Sequence, residues 1–233
     1  MKNSLNKSQI ERFSRQLILK NIGPKGQKKI LSSKVLVVGV GGLGCPAAES
    51  LVRAGIGTIG LIDNDIVNLS NIHRQSLFNS QDVTKLKVNV AAKKLKEINP
   101  LTKIETYKSR LSEKNIENII KNYEIIIDGS DNFKTKFLIN DFCIKFKKKL
   151  ITGAISKFDG HIFSFNFEDK KTASLKDFYQ EKEISDDILN CEYDGVIGTT
   201  ASIIGTILAN ESLKMTMKIG QNLKNQILIV DLL

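Results

Sequence analysis

Residues 35–44 read VLVVGVGGLG, a run of branched apolar residues that passes directly into a glycine cluster. No other stretch of the chain limits its fold so tightly. Branched side chains favour a buried strand. The glycines let the backbone turn sharply, so that a helix can start at once with its N–H groups facing outward, an arrangement suited to an anion such as a nucleotide phosphate. The glycines alone do not say which nucleotide.

Apolar runs and helical periods alternate over most of the remaining chain, which predicts an α/β fold of Rossmann-like type: a mostly parallel sheet flanked by helices, with antiparallel edge strands. The first strand is expected at residues 35–40 and the first helix at 43–54, with Pro46 in its opening turn and Gly55 ending it. The second strand is expected at 58–63. Val88, Ala91, Ala92, Leu95 and Ile98 recur on one helical face, closed by Asn99 and Pro100. A short strand near 103–107 and a helix near 113–121 follow. YEIIIDGSDN and LITGAI supply two further buried strands, whose C-terminal ends are expected beside the glycine turn. HIFSFNF alternates and is expected to run antiparallel at one edge. Residues 1–31 form an N-terminal arm, helical from about residue 8. Residues 168–198 are polar and aperiodic, which marks a functional or mobile loop. The helix near 199–214 carries Ala201, Ser202, Gly205 and Ala209, small enough for close packing. One domain over residues 1–233 accommodates all of this.

Gly39, Gly41, Gly42 and Gly44 fit the G-x-G-x-x-G spacing, which by itself points to a dinucleotide. Asp63, at the end of the second expected strand, is placed to accept hydrogen bonds from ribose hydroxyls. Both features suit an NAD-dependent oxidoreductase. The continuation, DNDIVNLSNIHRQSLFNSQDVTKLK at residues 63–87, shifts the balance. It sets Arg74 and Lys87 in a loop and helix start facing the same crevice. A triphosphate carries more charge than a pyrophosphate and calls for fixed cations as well as backbone N–H groups. Thr84 reads as the helix cap with Lys85 and Lys87 just behind it, where the macrodipole disfavours cations unless an anion is bound nearby. Asp131, followed by Asn132, ends another strand and reads either as a magnesium ligand or as a helix N-cap. His161 falls in the alternating strand and reads as structural.

The net charge of +10 raises the question of nucleic acid. Yet 30 of the 35 basic residues are scattered lysines, with no cluster of basic and aromatic residues. A compositional bias explains them, and no nucleic acid partner is expected. A basic surface still suits ATP or an acidic protein partner. The longest apolar runs fall well short of the roughly 20 residues of a membrane span. The start MKNSLNKSQIER lacks the apolar centre of a signal peptide. A cytoplasmic location and no membrane partner are therefore expected. Cys45, Cys143 and Cys191 show no C-x-x-C spacing, so neither a disulfide framework nor a zinc site is expected.

The glycine turn, LIDNDIVNLSNIHRQ, TKLK, DGSDN and the leading ERFSRQ together resemble the MoeB/ThiF/HesA family, bacterial relatives of ubiquitin-activating enzymes. The likeness runs from about residue 8 to 214, and the D-x-D-x-V-x-x-S-N-x-x-R-Q block is its most specific part. It implies an adenylyltransferase that uses ATP and magnesium to adenylylate the C-terminal Gly-Gly carboxylate of a small ubiquitin-like sulfur-carrier protein (MoaD- or ThiS-like). Pyrophosphate is released, in molybdopterin or thiamine synthesis. Carried over to matching positions, Gly42 contacts the nucleotide and Asp63 its ribose, while Arg74 and Lys87 hold the triphosphate. Asp131 faces magnesium and phosphates, and Ser70, Asn71, Ile72 and His73 line the site. Arg15 reaches into the active site of a second subunit, which implies an obligate homodimer. Cys191 matches a position where some members carry a cysteine that joins covalently to the carrier, and it reads equally as a small half-buried residue.

The segment 168–198 matches the family's crossover loop, which guides the carrier's tail. Many members bind zinc through two C-x-x-C pairs. Here Ala173, Ser174, Leu175 and Lys176 stand in place of the first, so no zinc is expected and the loop is expected to be loosely ordered. Sulfur is expected from a separate donor protein. Three other readings stay open: the oxidoreductase, a non-catalytic carrier-binding member of the family, and a relative that activates a modified-tRNA carboxylate.

Overall fold

A computed structural model describes residues 4–179 and 195–233. Among these, seven strands form one sheet in the order β3-β2-β1-β4-β5-β6-β7. They are β1 (Lys34–Val38), β2 (Thr58–Ile62), β3 (Lys103–Tyr107), β4 (Ile125–Asp128), β5 (Lys149–Ser156), β6 (Asp159–Asn166) and β7 (Leu228–Asp231). The first five are mutually parallel, while β5–β6 and β6–β7 pair antiparallel. The chain runs β1, β2, β3 to one side and then returns to place β4 on the other side of β1. Such a reversal leaves a crevice beyond the C-terminal ends of the strands where ligands bind in open α/β sheets.

The central strands are apolar on both faces because both faces are covered. One cluster joins Val35, Val37, Ile59 and Leu61 to helices α4 (Gly44–Ala54), α5 (Lys87–Ile98) and α9 (Gly198–Met217). The other joins Leu36, Val38, Ile62 and Ile126 to α6 (Ile116–Ile120) and α7 (Phe133–Lys145). On α9 the small residues Ala201, Gly205 and Ala209 are buried, and that helix packs along α4. Among the described residues no helix is long and apolar enough to cross a membrane.

The N-terminal arm is three helices, α1 (Lys7–Arg12), α2 (Ser14–Leu17) and α3 (Gly23–Ser32). It ties down the far ends of the crevice helices. Arg12 Nη1 donates to Ile98 O at 3.0 Å, and Gln16 and Gln27 both donate to Ala54 O. Those carbonyls lie at the ends of α5 and α4, where no intrahelical donor is left.

Two sequence expectations are corrected. β6 runs antiparallel as expected, but it is not the outermost strand, because the apolar run near the C-terminus adds β7 beyond it. The beginning of the 168–198 segment is also not loosely ordered. Ser174 closes a capping box with Asp177 over α8 (Leu175–Phe178), Leu175 is 1% exposed, and its N–H donates to Asn140 Oδ1 at 3.0 Å. Residues 180–194 lie outside the described residues.

The turn from β1 into α4 tolerates no side chain at its last glycine. A Cβ on Gly44 would stand 1.8 Å from the Gly39 carbonyl oxygen, which is backbone and has no room to move aside. Gly44→Ala is expected to cost about 2–4 kcal/mol. Urea unfolding is the check, with a lower midpoint at an unchanged slope.

Candidate active site

The crevice holds a cavity of about 680 Å³, walled by the C-terminal ends of β1 to β5 and the facing side of β6. At its centre Gly39 takes φ 82°, a conformation open to glycine and costly for other residues. The next N–H, that of Val40, donates to Asp63 Oδ2 at 2.7 Å. Asp63 Oδ1 accepts from Asp65 N at 2.8 Å. One carboxylate thus ties the turn after β1 to the loop after β2, and each oxygen keeps a second lone pair for a ligand hydroxyl. Burial pushes the Asp63 carboxyl above its ordinary value, against the opposing pull of the Asp65 N–H, the Lys87 ammonium and the Val40 N–H.

Lys87 is the first residue of α5 and is 6% exposed. Thr84 is not the cap expected from the sequence. It sits at φ 74°, and the cap position belongs to Leu86, which supplies no side-chain bond. Asp65 does the anchoring instead. Its carbonyl accepts from Lys87 N at 3.0 Å, and its carboxylate accepts from Lys87 Nζ at 3.1 Å. The buried ammonium is thereby paired and held at the cavity wall. Lys85 turns outward to Asp82.

Arg74 lines the cavity with Nη1 donating to Ser70 O at 2.9 Å and lying 2.8 Å from His73 Nε2. Of the loop residues expected in the site, Asn71 lines it, whereas Ser70, Ile72 and His73 do not. Ser70 and His73 brace Arg74 from behind. Gly39, Gly41 and Gly42 line the cavity, and Gly44 lies one step below in the helix.

Asp131 and Asn132 both line the site. Asn132 is the N-cap of α7, accepting from Thr135 N at 2.9 Å, which leaves Asp131 exposed at the wall and free of the capping role. Magnesium ordinarily takes one or two protein carboxylates, with the remaining positions filled by phosphates and water. Asp131 fits that mode. Among the described residues no cluster of three or more metal-binding side chains is present.

Several residues in or directly behind the wall carry no signal in the sequence. Asp128, fully buried, accepts from Ser130 N, Ser130 Oγ and Thr152 Oγ1, and also from Lys136 Nζ at 3.2 Å. Lys136 also donates to Gly153 O at 2.8 Å and lines the cavity. Arg110, after β3, joins the wall, as do Asp159, His161 and Tyr179. His161 was expected to be structural. It faces the cavity with Nδ1 3.3 Å from the Tyr179 hydroxyl.

The crevice is also less positive than its sequence suggested. Among the described lining residues Arg74, Lys87, Arg110 and Lys136 are balanced in number by Asp63, Asp65, Asp131 and Asp159. The two buried ammonium groups, Lys87 and Lys136, are each paired with an aspartate, because a buried ammonium without a partner is costly. Arg15 is exposed on α2 and does not line the cavity of its own chain. Cys45, beneath the glycine turn, is a packing residue whose thiol burial pushes up to about 12. Cys191 lies outside the described residues.

The ThiF family model matches residues 13–233. The chain is 36% identical over 230 residues to the sulfur carrier protein adenylyltransferase of Thermus thermophilus, a match covering 97% of this chain and 85% of that one. It is 39% identical over 230 residues to a probable molybdopterin-synthase adenylyltransferase of Gracilaria tenuistipitata, covering 99% and 64%. With the adenylyltransferase and sulfurtransferase MOCS3 of Drosophila willistoni it shares 38% over 228 residues, covering 97% of this chain and half of the relative. The chain therefore spans less than two thirds of two of these three relatives. Among solved structures, PaaA superposes with a TM-score of 0.83 at 23% identity, over 100% of this chain and 73% of that one. E. coli MccB with ATP superposes with 0.81 at 21%, over 94% and 68%. At those identities the structural likeness is one of fold. The sequence relationship goes further, and the chain belongs to the ThiF family.

Proposed function

We propose that this chain is an adenylyltransferase that uses ATP to activate the C-terminal carboxylate of a small ubiquitin-like sulfur-carrier protein ending in Gly-Gly. The pathway is molybdopterin or thiamine synthesis. The observation that carries the reading is the linkage of Gly39–Val40, Asp63, Asp65 and Lys87 in one crevice, in a chain of this family. The glycine turn supplies backbone N–H groups, Asp63 a ribose acceptor, and Lys87 and Arg74 two fixed cations.

The reaction needs no general base. A terminal carboxylate with a pKa near about 3.5 is ionised at neutral pH. One of its oxygens bonds to the α-phosphorus as the bond to the bridging oxygen of pyrophosphate breaks, giving an acyl adenylate and free pyrophosphate. What the protein contributes is alignment of two anions and stabilisation of charge on the leaving group. Magnesium, held by Asp131 together with the phosphates, would neutralise part of that charge. A balanced wall makes further positive charge useful, which supports Arg15 acting from a second copy in a homodimer. A sulfur nucleophile carried by a separate donor then attacks the acyl carbon, and AMP leaves as the carbon–sulfur bond forms.

ATP–pyrophosphate exchange that depends on a carrier ending in Gly-Gly is the direct test. Binding of NADH in preference to ATP, or no exchange with any such carrier while ATP binds, would defeat the proposal. Arg74→Ala and Lys87→Ala are each expected to lower exchange by about 10²–10³-fold. The Asp65–Lys87 pair yields a separate expectation. Asp65→Ala alone loses about tenfold through misplacement of the ammonium, and adding it to Lys87→Ala costs little more, because two residues acting through one contact are non-additive. Steady-state exchange rates of the four proteins check this.

A further inference from the structure

The order of strands assigns parts of a nucleotide to parts of the wall. The glycine turn follows β1 and Asp63 follows β2, the next strand outward. Beyond it lies β3, at a spacing of ~4.8 Å per strand. A nucleotide with its phosphates at the first and its ribose at the second extends its base toward the loop after β3. That loop lines the cavity with Ser109, Arg110 and Leu111.

The loop is built rather than incidental. Leu111 is 7% exposed and packs in the same core cluster as Ile62, which also lines the cavity. Asn115 pins the backbone on both sides. Its Oδ1 accepts from Ser112 N at 2.9 Å, and its Nδ2 donates to Arg110 O at 2.9 Å and to Ser109 Oγ at 3.4 Å. On this fixed platform the Arg110 side chain is exposed, and among the described residues no hydrogen bond or ion pair engages its guanidinium. Arg74, Lys87 and Lys136 are all held by hydrogen bonds.

We propose that Arg110 is a base-contacting residue whose guanidinium stacks on the face of the nucleotide's purine base, with Leu111 and Ile62 forming the apolar side of the same subsite. This rests on the ATP-dependent reading above. A guanidinium is planar, delocalised and weakly hydrated, so it stacks on aromatic faces where an ammonium does not. Its place two strands away from the glycine turn sets it apart from the cations near the phosphates.

Calorimetry with two probes tests the assignment: ATP, and inorganic tripolyphosphate as a ligand with the phosphates and no base. Arg110→Ala is expected to weaken ATP by about 3- to 30-fold and to leave tripolyphosphate within about twofold. Arg110→Lys, which keeps the charge and loses the plane, is expected to fail to restore ATP affinity. If Arg110→Ala is unstable, Arg110→Met keeps the aliphatic stem and reads the same quantity. Equal weakening of both probes would make Arg110 a phosphate cation and overturn the proposal, as would unchanged ATP affinity in the alanine variant. Wild-type protein that binds tripolyphosphate but not ATP would overturn the ATP reading itself, a result distinct from either.

Discussion

The crevice depends on one carboxylate, that of Asp63. Its two oxygens accept the Val40 and Asp65 N–H groups, so a single side chain sets the height of the glycine turn against the loop that carries Lys87. Burial raises its proton affinity above that of the unfolded chain. The sign of the linkage follows. A carboxyl with a raised native pKa binds its proton more tightly when folded, so it favours the folded state at acid pH. That contribution fades as pH rises through the native value. At neutral pH the ionised group is therefore under-solvated, at a cost to stability. Hydroxyl donors from a ligand would offset that cost.

The same economy governs the cations. Lys87 and Lys136 are nearly buried, and each is paired with an aspartate. The two pairs differ in what they leave open. The Asp128 carboxylate is saturated by Ser130, Thr152 and Lys136 and lies wholly inside the protein, so it fixes the turn leading to Asp131. The Asp65 side chain is 59% exposed, so water screens its hold on Lys87. One pair is a buried scaffold, and the other is open to solvent on its carboxylate side.

The elements that the sequence disclosed are those specified locally. Branched runs at 35–38 and 125–127 could only be buried strands, the Val88–Ile98 face was periodic, and Gly55 ended its helix as a left-handed cap. Asp63 and Lys87 were legible because strand ends and helix starts point into the crevice of such a sheet. Errors arose where tertiary contacts overrode local rules. Thr84 looked like a cap by residue type, yet its N–H goes to Val67 O and the helix begins later, anchored by Asp65 from 22 residues away. Lys136 was one lysine among 30. Only the partners Asp128 and Gly153, brought in by β4 and β5, distinguish it. Arg110 followed a short, half-buried edge strand with no motif to mark it, and the β6 edge was misread because β7 arrives from far along the chain.

The balance of charge among the residues lining the crevice bears on any chemistry of anions there. A wall with uncompensated positive charge would bind a triphosphate tightly, but it would hold the pyrophosphate product tightly as well, and tight binding of both sides of a reaction does not speed it. With Lys87 and Lys136 paired to aspartates and Arg74 turned to a neighbouring carbonyl, an added ion or second chain would raise the net positive field. Those additions can leave again. The acid–base pairs of this site are thus suited to transient stabilisation of charge as the leaving group forms. On the proposed reading, the fixed parts of the fold, the glycine turn and the Asp63 bridge, would hold the nucleotide in register.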